Sequence, residues 1–366
     1  MSLAIWISGG SMTSSAAKPA TQRDQVVQQL LRPLSRFLDR PDVTEVTINY
    51  PGFLFARTFH AWEEHEVPEL NMGYLESLTT AIAVFNGKNP SAINSVVLPG
   101  GERGQIVRAP GMIDGTVSLS IRKHSTVAKS LEQLDSEGAF SNPKLADKSF
   151  NVPTVAEAEK EAARRDFGRL EPFELELLAL KREGRWREFL HACILHKRNV
   201  VIAGKTNSGK TTFARSLIEK VPSHERIITI EDVHELFLPD HRNKVHLLYG
   251  EGVGRVSADA CLAACMRMSP DRIFLAELRG NEAWEYVNSL NTGHPGSITT
   301  VHANGALGTF ERIATLIKKS DVGQRLDLEM VNLLLYRTIN VALYFQDRQL
   351  VEVFYDPIFA NSKIEG

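Results

Sequence analysis

Two histidines stand close together in the stretch GHPGSITTVHAN, residues 293–304. Imidazoles such as those of His294 and His302 can serve as metal ligands, catalytic bases, phosphate sensors or structural hydrogen-bonding groups. No cysteine or carboxylate lies within this stretch, so a metal site here would lack a third ligand in the local sequence. The choice among the other roles depends on which residues the fold brings to this segment.

The strongest chemical signal lies earlier in the chain, in NVVIAGKTNSGKTTFARSLIEKV, residues 199–221. A buried-strand run, the pattern G-x-x-x-x-G-K-[ST] and a helical periodicity follow one another, which is the context that a P-loop requires. We expect Lys210 to contact the β- and γ-phosphates of ATP, and the Thr211 hydroxyl to ligate Mg²⁺. The predicted nucleotide-binding residues are Gly204, Lys205, Thr206, Asn207, Ser208, Gly209, Lys210, Thr211 and Thr212.

Two further apolar runs end in acidic residues. RIITIEDVHEL leads into Glu231 and Asp232, and PDRIFLAELRG delivers Glu277. Ligands of open α/β sheets bind at the carboxyl ends of strands, so acids placed there can meet Mg²⁺ and water. The alternative is that they are solvated strand-end charges. The β-branched run SITTV places His302 at the same edge, which favours phosphate sensing over a structural role. The predicted metal ligands are Thr211, Glu231, Asp232 and Glu277.

The patterns around these residues predict two domains. Residues 22–123 combine two helical segments with short alternating strands, which indicates a compact α+β N-terminal domain. Residues 171–366 contain the P-loop and form the second, α/β domain. The intervening residues 124–170 are charged, alanine-rich and punctuated by proline, and we expect a long linker with some helix. Residues 1–21 are rich in Ser, Gly and Ala and are predicted to be disordered.

The amino-acid composition is typical of a soluble globular protein. Of the 366 residues, 43% are hydrophobic and 23% are charged, and the formal charge of −2 gives no bulk attraction for nucleic acid or anionic membranes. Three cysteines provide no disulfide framework, and the pair Cys261 and Cys265 is expected to pack in a core. No stretch approaches the ~18 apolar residues of a membrane span. We therefore expect a cytoplasmic protein whose membrane contact, if any, is peripheral.

The order of the four segments resembles a known family. GKTNSGKTT, RIITIEDVHEL, RMSPDRIFLAELRG and GHPGSITTVHAN are similar to the Walker A loop, Asp box, degenerate Walker B and His box of the secretion ATPase superfamily. Its members are hexameric traffic ATPases of type IV secretion, type II secretion and type IV pili. RKHS, LLALKREGRWREFL and VTEVTINYPG look like the type IV secretion and conjugation branch. The resemblance implies a RecA-like second domain and ATP hydrolysis that drives secretion or pilus assembly.

Carried over by position, the resemblance also implies residue roles. Lys210 belongs to Walker A, Glu231 to the Asp box, Glu277 is the acid that aligns water, and His302 couples nucleotide state to motion. N-domain arginines reach the phosphates in this family, and Arg103 and Arg122 match those positions. Arg108 is a neighbour that could be confused with Arg103, and Arg267 and Arg279, which flank the Walker B strand, are weaker candidates. The predicted catalytic residues are Glu277, Lys210, Glu231, His302, Arg103 and Arg122.

The family also implies partners and a location. These are a homohexamer, other secretion-system ATPases, inner-membrane platform proteins, and a peripheral place on the cytoplasmic face of a bacterial inner membrane. The long linker leaves open whether domains swap between neighbours. The chain lacks the paired CxxC zinc element common in type II members, which favours the type IV side.

Other functions remain open from the residues alone. A type IV pilus or type II secretion motor shares the same motifs, and a nucleic-acid translocase or helicase shares the RecA-like core. Direct nucleic-acid binding is uncertain because no stripe of basic and aromatic residues is visible. A small-molecule kinase would need an acceptor motif, and a GTPase would need the aspartate that NKVH at residues 243–246 lacks. A scaffold that binds ATP without hydrolysing it is the fourth alternative. The polar turn QDRQ near the C-terminus is assigned no chemistry.

Overall fold

The computed structural model describes residues 22–113, 115–123, 129–148, 156, 170–250 and 256–362. The chain separates into two compact units, Met1–His124 and Ser125–Gly366. The predicted disordered segment, residues 1–21, lies outside the described residues, as does most of the predicted linker.

The described residues of the first unit form three helices and six strands. Its helices are α1 (Gln22–Leu30), α2 (Arg32–Leu38) and α3 (Met72–Phe85). Its strands are β1 (Val43–Ile48), β2 (Phe53–Thr58), β3 (Trp62–Glu66), β4 (Ile93–Val97), β5 (Arg103–Arg108) and β6 (Val117–Arg122). The strands form one antiparallel sheet in the order β3-β2-β1-β6-β5-β4.

The helices cover one face of this sheet. Residues of β6 alternate between buried and half-buried, so Leu119 and Ile121 enter the core with Leu34 of α2 and Leu75 of α3. Local signals set the helix boundaries: a proline in the first turn of α2 separates it from α1, and the Asn71 side chain accepts a hydrogen bond that begins α3. The predicted α+β unit with one helix layer is confirmed. β2 and β3 are additions that the sequence did not reveal.

The second unit is larger, and the part of it that the structure describes has eight strands in one sheet. Its helices are α4 (Leu131–Ser136), α5 (Pro172–Arg182), α6 (Trp186–Leu195), α7 (Lys210–Ile218), α8 (Ala258–Cys265), α9 (Glu282–Asn291), α10 (Ala306–Lys319), α11 (Leu328–Thr338) and α12 (Pro357–Ser362), with a 3₁₀ turn at Gly323–Arg325. Its strands are β7 (Lys144–Leu145), β8 (Val200–Gly204), β9 (Ile227–Glu231), β10 (Lys244–Leu248), β11 (Arg272–Leu278), β12 (Ile298–Val301), β13 (Val341–Gln346) and β14 (Gln349–Phe354).

The strands of the second sheet lie in the order β10-β9-β11-β12-β8-β13-β14-β7. The first six strands of this order are parallel to one another. Every residue of β8 is buried, because both faces of the sheet are covered. Val200 and Ile202 enter the core beneath α6 and α7, whereas Val201 and Ala203 enter the core beneath α9 and α10. This arrangement is the predicted α/β P-loop domain. Among the helices of the described residues, none is both long and apolar enough to span a bilayer.

Residues 129–148 belong structurally to the second unit, although the sequence pattern assigned them to the linker. Phe140 packs edge-on against Phe213 of α7, with 6.0 Å between ring centroids. β7 pairs with β14, and the buried Lys181 ammonium donates to Asp147 at 2.5 Å. The segment was misread because its apolar residues are few and its strand has only two residues, which leaves no periodicity to detect.

Candidate active site

The P-loop connects β8 to α7 and depends on glycine at two positions. A side chain at Gly204 would collide with the backbone oxygen of Phe345 in the neighbouring strand β13. Gly209 precedes α7 with φ of 97°, a left-handed conformation that few residues other than glycine adopt. The loop therefore curves tightly into the positive end of α7, which suits it to hold an anion.

Lys210 and Ser208 give this loop its polar interior. The buried ammonium of Lys210 donates to the carbonyls of Gly204 and Lys205, at 2.8 Å each. Ser208 is also buried, and its hydroxyl has no hydrogen-bond partner among the described residues. A buried cation and an unpaired hydroxyl inside a glycine-lined curve fit a phosphate group, so the residues present suit a nucleotide.

The C-terminal turn, to which the sequence assigned no chemistry, contacts the P-loop. Asp347 and Arg348 join β13 to β14 with positive φ values of 49° and 65°. The Arg348 backbone N–H donates to the Ser208 carbonyl at 3.1 Å. No sequence signal pointed to this contact, because it arises only when β13 pairs with β8.

Four neighbouring strands bring the predicted site residues to one edge of the sheet. β9, β11, β12 and β8 lie side by side and run parallel. Their carboxyl ends carry Glu231, Glu277, His302 and Gly204, in that spatial order. The strand-end acids and the histidine thus share the edge at which the P-loop begins.

Glu277 contacts two other side chains at this edge, those of His302 and Arg279. Its Oε1 lies 3.1 Å from His302 Nε2, and its Oε2 accepts a hydrogen bond from Arg279 at 3.0 Å. Burial disfavours the charged carboxylate, but the bonds to His302 and Arg279 outweigh that effect and lower the pKa of Glu277 to about 2. Glu277 is therefore a carboxylate at neutral pH, held between two groups that are themselves partly exposed.

Arg279 joins the two acidic strand ends. Besides its bond to Glu277, it donates to Asp232 Oδ2 at 2.6 Å. Burial alone lowers the pKa of Arg279, but the bond to Glu277 and the charge of Asp232 raise it above its usual range. From the sequence, Arg279 was only a weaker candidate that flanks the Walker B strand. The signal available was its spacing of two from Glu277, which places both side chains on one side of an extended segment.

Glu231 is in a different environment. It is completely buried, and its Oε2 accepts hydrogen bonds from the backbone N–H groups of Glu235 and Leu236, at 2.7 Å each. Its Oε1 accepts a bond from Thr229 at 2.7 Å and lies 3.2 Å from His234 Nδ1. Burial raises the pKa of Glu231, yet the bonds to His234 and His246, followed by those to Thr229 and Leu236, outweigh burial and hold the pKa well below its usual range. The groups beside the carboxylate are the imidazole nitrogens of His234 and His246, whereas Mg²⁺ prefers oxygen ligands, which argues against the predicted direct contact with Mg²⁺.

The two histidines of GHPGSITTVHAN are separated by the strand between them. His294 precedes β12, and the following Gly296 N–H donates to the Asn199 side chain at the amino edge of the sheet. His302 follows β12 at the opposite edge. A strand of four residues is about 13 Å long, so the two imidazoles cannot share a metal ion. Only His302 lies with the acids.

Arg103 and Arg122 belong to the first unit, whereas the other predicted site residues belong to the second. They are direct neighbours on β5 and β6, and Glu45 of β1 lies on the other side of Arg122. Their strands alternate so that both arginines lie on the face opposite the helices. The two arginines are therefore cross-strand neighbours on that face of the sheet.

The parallel sheet, the P-loop and the acids on adjacent strands define a P-loop nucleoside triphosphatase domain with a RecA-like arrangement. Comparison with known proteins extends this class to a family. A family model described as "Type II/IV secretion system protein" matches residues 151–343. The chain is 40% identical over 353 residues to the type IV secretion system protein VirB11 of Brucella suis, with 92% of each chain covered. It is 35% identical to VirB11 of Bartonella quintana, covering 97% of this chain and 99% of the relative. The chain therefore belongs to the type II/IV secretion system protein family.

Solved structures agree with this assignment. The VirB11 ATPase of the Brucella suis type IV secretion system, determined in complex with sulphate, is 39% identical over 94% of this chain and 98% of its own, with a TM-score of 0.50. The Legionella pneumophila ATPase DotB is 16% identical with a TM-score of 0.51, and the pilus retraction motor PilT, with bound ADP, is 17% identical with a TM-score of 0.50. The last two share the fold alone. The predicted resemblance to the type IV secretion branch is confirmed, and the pilus, type II and nucleic-acid translocase alternatives are not favoured.

Proposed function

We propose that this protein hydrolyses ATP with Mg²⁺ and that the energy drives substrate translocation or pilus assembly by a type IV secretion machine. The observation that carries the proposal is the contact of Glu277 on β11 with His302 at the end of β12, the strand that lies between β11 and the P-loop strand β8. A triphosphatase needs an acid and a phosphate-sensing group beside the loop that holds the phosphates. The names of the VirB11 relatives support the secretion role.

Each site residue then has a role. The P-loop residues 204–212 would hold the phosphates, with the Lys210 ammonium offsetting their charge and the Thr211 hydroxyl ligating Mg²⁺. Bound Mg²⁺ would supply charge neutralisation at the phosphate being transferred. Glu277 would orient the attacking water through its carboxylate, and Asp232 would act on the metal through water.

His302 would report the state of the nucleotide. It contacts Glu277, the acid proposed to orient water, so a change in charge at the site changes the hydrogen bonding of His302. We assign Glu231 a positioning role in place of the catalytic and metal-binding roles expected from the family. Its carboxylate holds the loop that follows β9, and that loop carries Asp232. On the family resemblance alone, we propose that Arg103 and Arg122 offset phosphate charge.

Phosphate release from ATP tests the hydrolysis directly. We expect Mg²⁺-dependent release that Lys210→Ala reduces by at least about 100-fold, because the ammonium is lost from the phosphate site. Release in water with no phosphorylated acceptor would exclude a small-molecule kinase. ATP binding without release would instead support the scaffold alternative, and strong stimulation by DNA would revive a translocase.

We also propose a homohexameric ring, other secretion-system ATPases and inner-membrane platform proteins as partners, and a peripheral position on the cytoplasmic face of the inner membrane. Measurement of particle mass in solution, with and without ATP, tests the ring. A sixfold mass under either condition supports it, and a monomer under both conditions rejects it.

A further inference from the structure

The end of β9, the loop after it and the neighbouring strand β10 bring together three side chains that can bind a metal other than Mg²⁺. Glu231, His234 and His246 each offer one ligand atom, and these atoms all lie within 4.8 Å of one another. Among the described residues, this is the cluster of histidine, cysteine and carboxylate groups that could hold an ion. The function proposed above gives the two histidines no role.

The fold brings the three residues together from two strands and a loop. His246 is on β10, directly beside Thr229 of β9, and Glu231 follows two residues later on the same side. His234 is in the loop after β9, where the backbone N–H groups of Glu235 and Leu236 bend back to the Glu231 carboxylate. The two imidazole rings lie with their centroids 4.4 Å apart.

The distances match those between ligands of a tetrahedral metal site, and they are at the long end for hydrogen bonds. Zinc binds histidine nitrogen and carboxylate oxygen at about 2.0–2.2 Å, so two ligand atoms of a tetrahedral site lie about 3.4 Å apart. Glu231 Oε1 is 3.2 Å from His234 Nδ1 and 3.5 Å from His246 Nδ1. Hydrogen bonds from an imidazolium to a carboxylate are shorter, about 2.7–2.9 Å.

The surrounding groups suit a bound ion as well. Thr229 donates to the ligand atom Glu231 Oε1 at 2.7 Å, and Oε2 is fixed by two backbone N–H groups, so the carboxylate is oriented before any metal arrives. His246 Nδ1 now contacts the Thr229 hydroxyl at 2.7 Å and would exchange that contact for the metal. The side chains of His234 and His246 are 36% and 24% exposed, which leaves a path for an ion and a water ligand.

We propose that Glu231, His234 and His246 bind a transition-metal ion of the Zn²⁺ class at the end of β9. Two imidazoles and one carboxylate are ligands that Zn²⁺ accepts, whereas Mg²⁺ requires oxygen ligands in octahedral geometry. The ion would tie strand β10 to the loop that carries Asp232, and thereby stiffen the edge of the candidate active site.

Titration with ZnCl₂ tests this site without reference to hydrolysis. The full chain is freed of metal with a chelator, then titrated calorimetrically in excess Mg²⁺ without nucleotide. We expect one Zn²⁺ per chain, and at least about tenfold weaker binding in His234→Gln and His246→Gln. His224→Gln, in an exposed turn, is the matched control and should bind as the unmodified chain does. Equal affinity in all four proteins, or no binding at all, would overturn the proposal.

Two further measurements keep the test independent of folding defects. Thermal unfolding without metal shows whether the glutamine variants fold, and added Zn²⁺ should raise the melting temperature of the unmodified and His224→Gln chains only. Co²⁺ in place of Zn²⁺ should give the intense visible absorption of a four-coordinate ion, and both His234→Gln and His246→Gln should lose it. Weak absorption typical of octahedral Co²⁺ would contradict the proposed geometry.

Discussion

The ends of strands β9 and β11 are alike in sequence and different in structure. Each strand is an apolar run that reaches a glutamate at its carboxyl end, and the two strands are neighbours in the sheet. Glu231 on β9 is fully buried, with backbone N–H groups on one oxygen and Thr229 on the other. Glu277 on β11 is 16% exposed and is held by two partly exposed side chains, those of His302 and Arg279.

This difference separates a structural acid from a reactive one. Freeing the Glu231 carboxylate would leave several buried donors without partners, and each such donor costs free energy. Glu277 can exchange its partners for water or ligand at lower cost, because those partners reach solvent. An acid at a strand end is therefore suited to act on water only when its own protein has not already satisfied both of its oxygens.

The largest expected effect is on hydrolysis at the β11 end. Glu277→Gln keeps the shape of the side chain and removes the charge that would orient water, so kcat should fall by about a thousandfold. Phosphate release under saturating ATP measures it. Wild-type rates would remove Glu277 from its proposed role and erase the contrast with Glu231.

The next effect is on stability at the β9 end. Glu231→Ala leaves the buried N–H groups of Glu235 and Leu236 without an acceptor, and should reduce the free energy of unfolding by about 3 kcal/mol. Urea denaturation of this variant and of Glu277→Ala provides the comparison, and we expect the second change to cost less than the first, because the partners of Glu277 reach solvent. Equal losses would mean that the two acids do not differ as described.

A third effect sharpens the role of His302. Because its imidazole contacts Glu277 and is 44% exposed, His302→Ala should leave ATP affinity within about twofold of wild type. Transfer of DNA or protein by the secretion machine should fall by at least about tenfold, since the link between nucleotide state and motion is lost. A variant that hydrolyses ATP and supports full transfer would refute the sensor role.

The smallest effect concerns pH. The pKa of Glu277 is about 2 in the folded chain, below its ordinary value of 4.5, so its ionised form stabilises the fold above pH 4.5. That contribution is lost as pH falls from 4.5 towards 2. Arg279→Ala should cost about 1 kcal/mol at pH 7, after allowance for the 43% exposure of its side chain.

Unfolding experiments across this range test the sign. The stability difference between Arg279→Ala and the unmodified chain should shrink as the pH is lowered through that interval. A difference that stays constant or grows would show that Arg279 does not act through an ionised carboxylate.

The sequence predicted those parts of the site that local patterns encode. The P-loop and the acids after RIITI and RIFLA were recognisable because a buried parallel strand leaves an uninterrupted apolar run. The burial of Glu231 was not predictable, because it depends on His246 from another strand and on a loop that turns back. The turn at Arg348 was missed for a similar reason, since its contact with Ser208 follows from strand pairing.

In the fold, too, elements encoded by local patterns were predicted, and elements that depend on distant contacts were not. β1, α3 and the three later strands of the first unit were anticipated from alternation and helical spacing. β3 was missed because its sequence, WEEHE, is charged and exposed, as is common for an edge strand. Residues 129–148 were read as linker because their few apolar side chains gain meaning only when they meet α7.

Identifying the nucleotide retained by Glu277→Gln tests the central claim most directly. The variant and the unmodified chain are incubated with ATP and Mg²⁺, separated from free nucleotide, and their bound nucleotide is analysed by chromatography. The proposed site predicts that Glu277→Gln retains ATP, whereas the unmodified chain retains ADP or none. ADP on the variant, in the same proportion as on the unmodified chain, would contradict the assignment of Glu277 as the acid that acts on water.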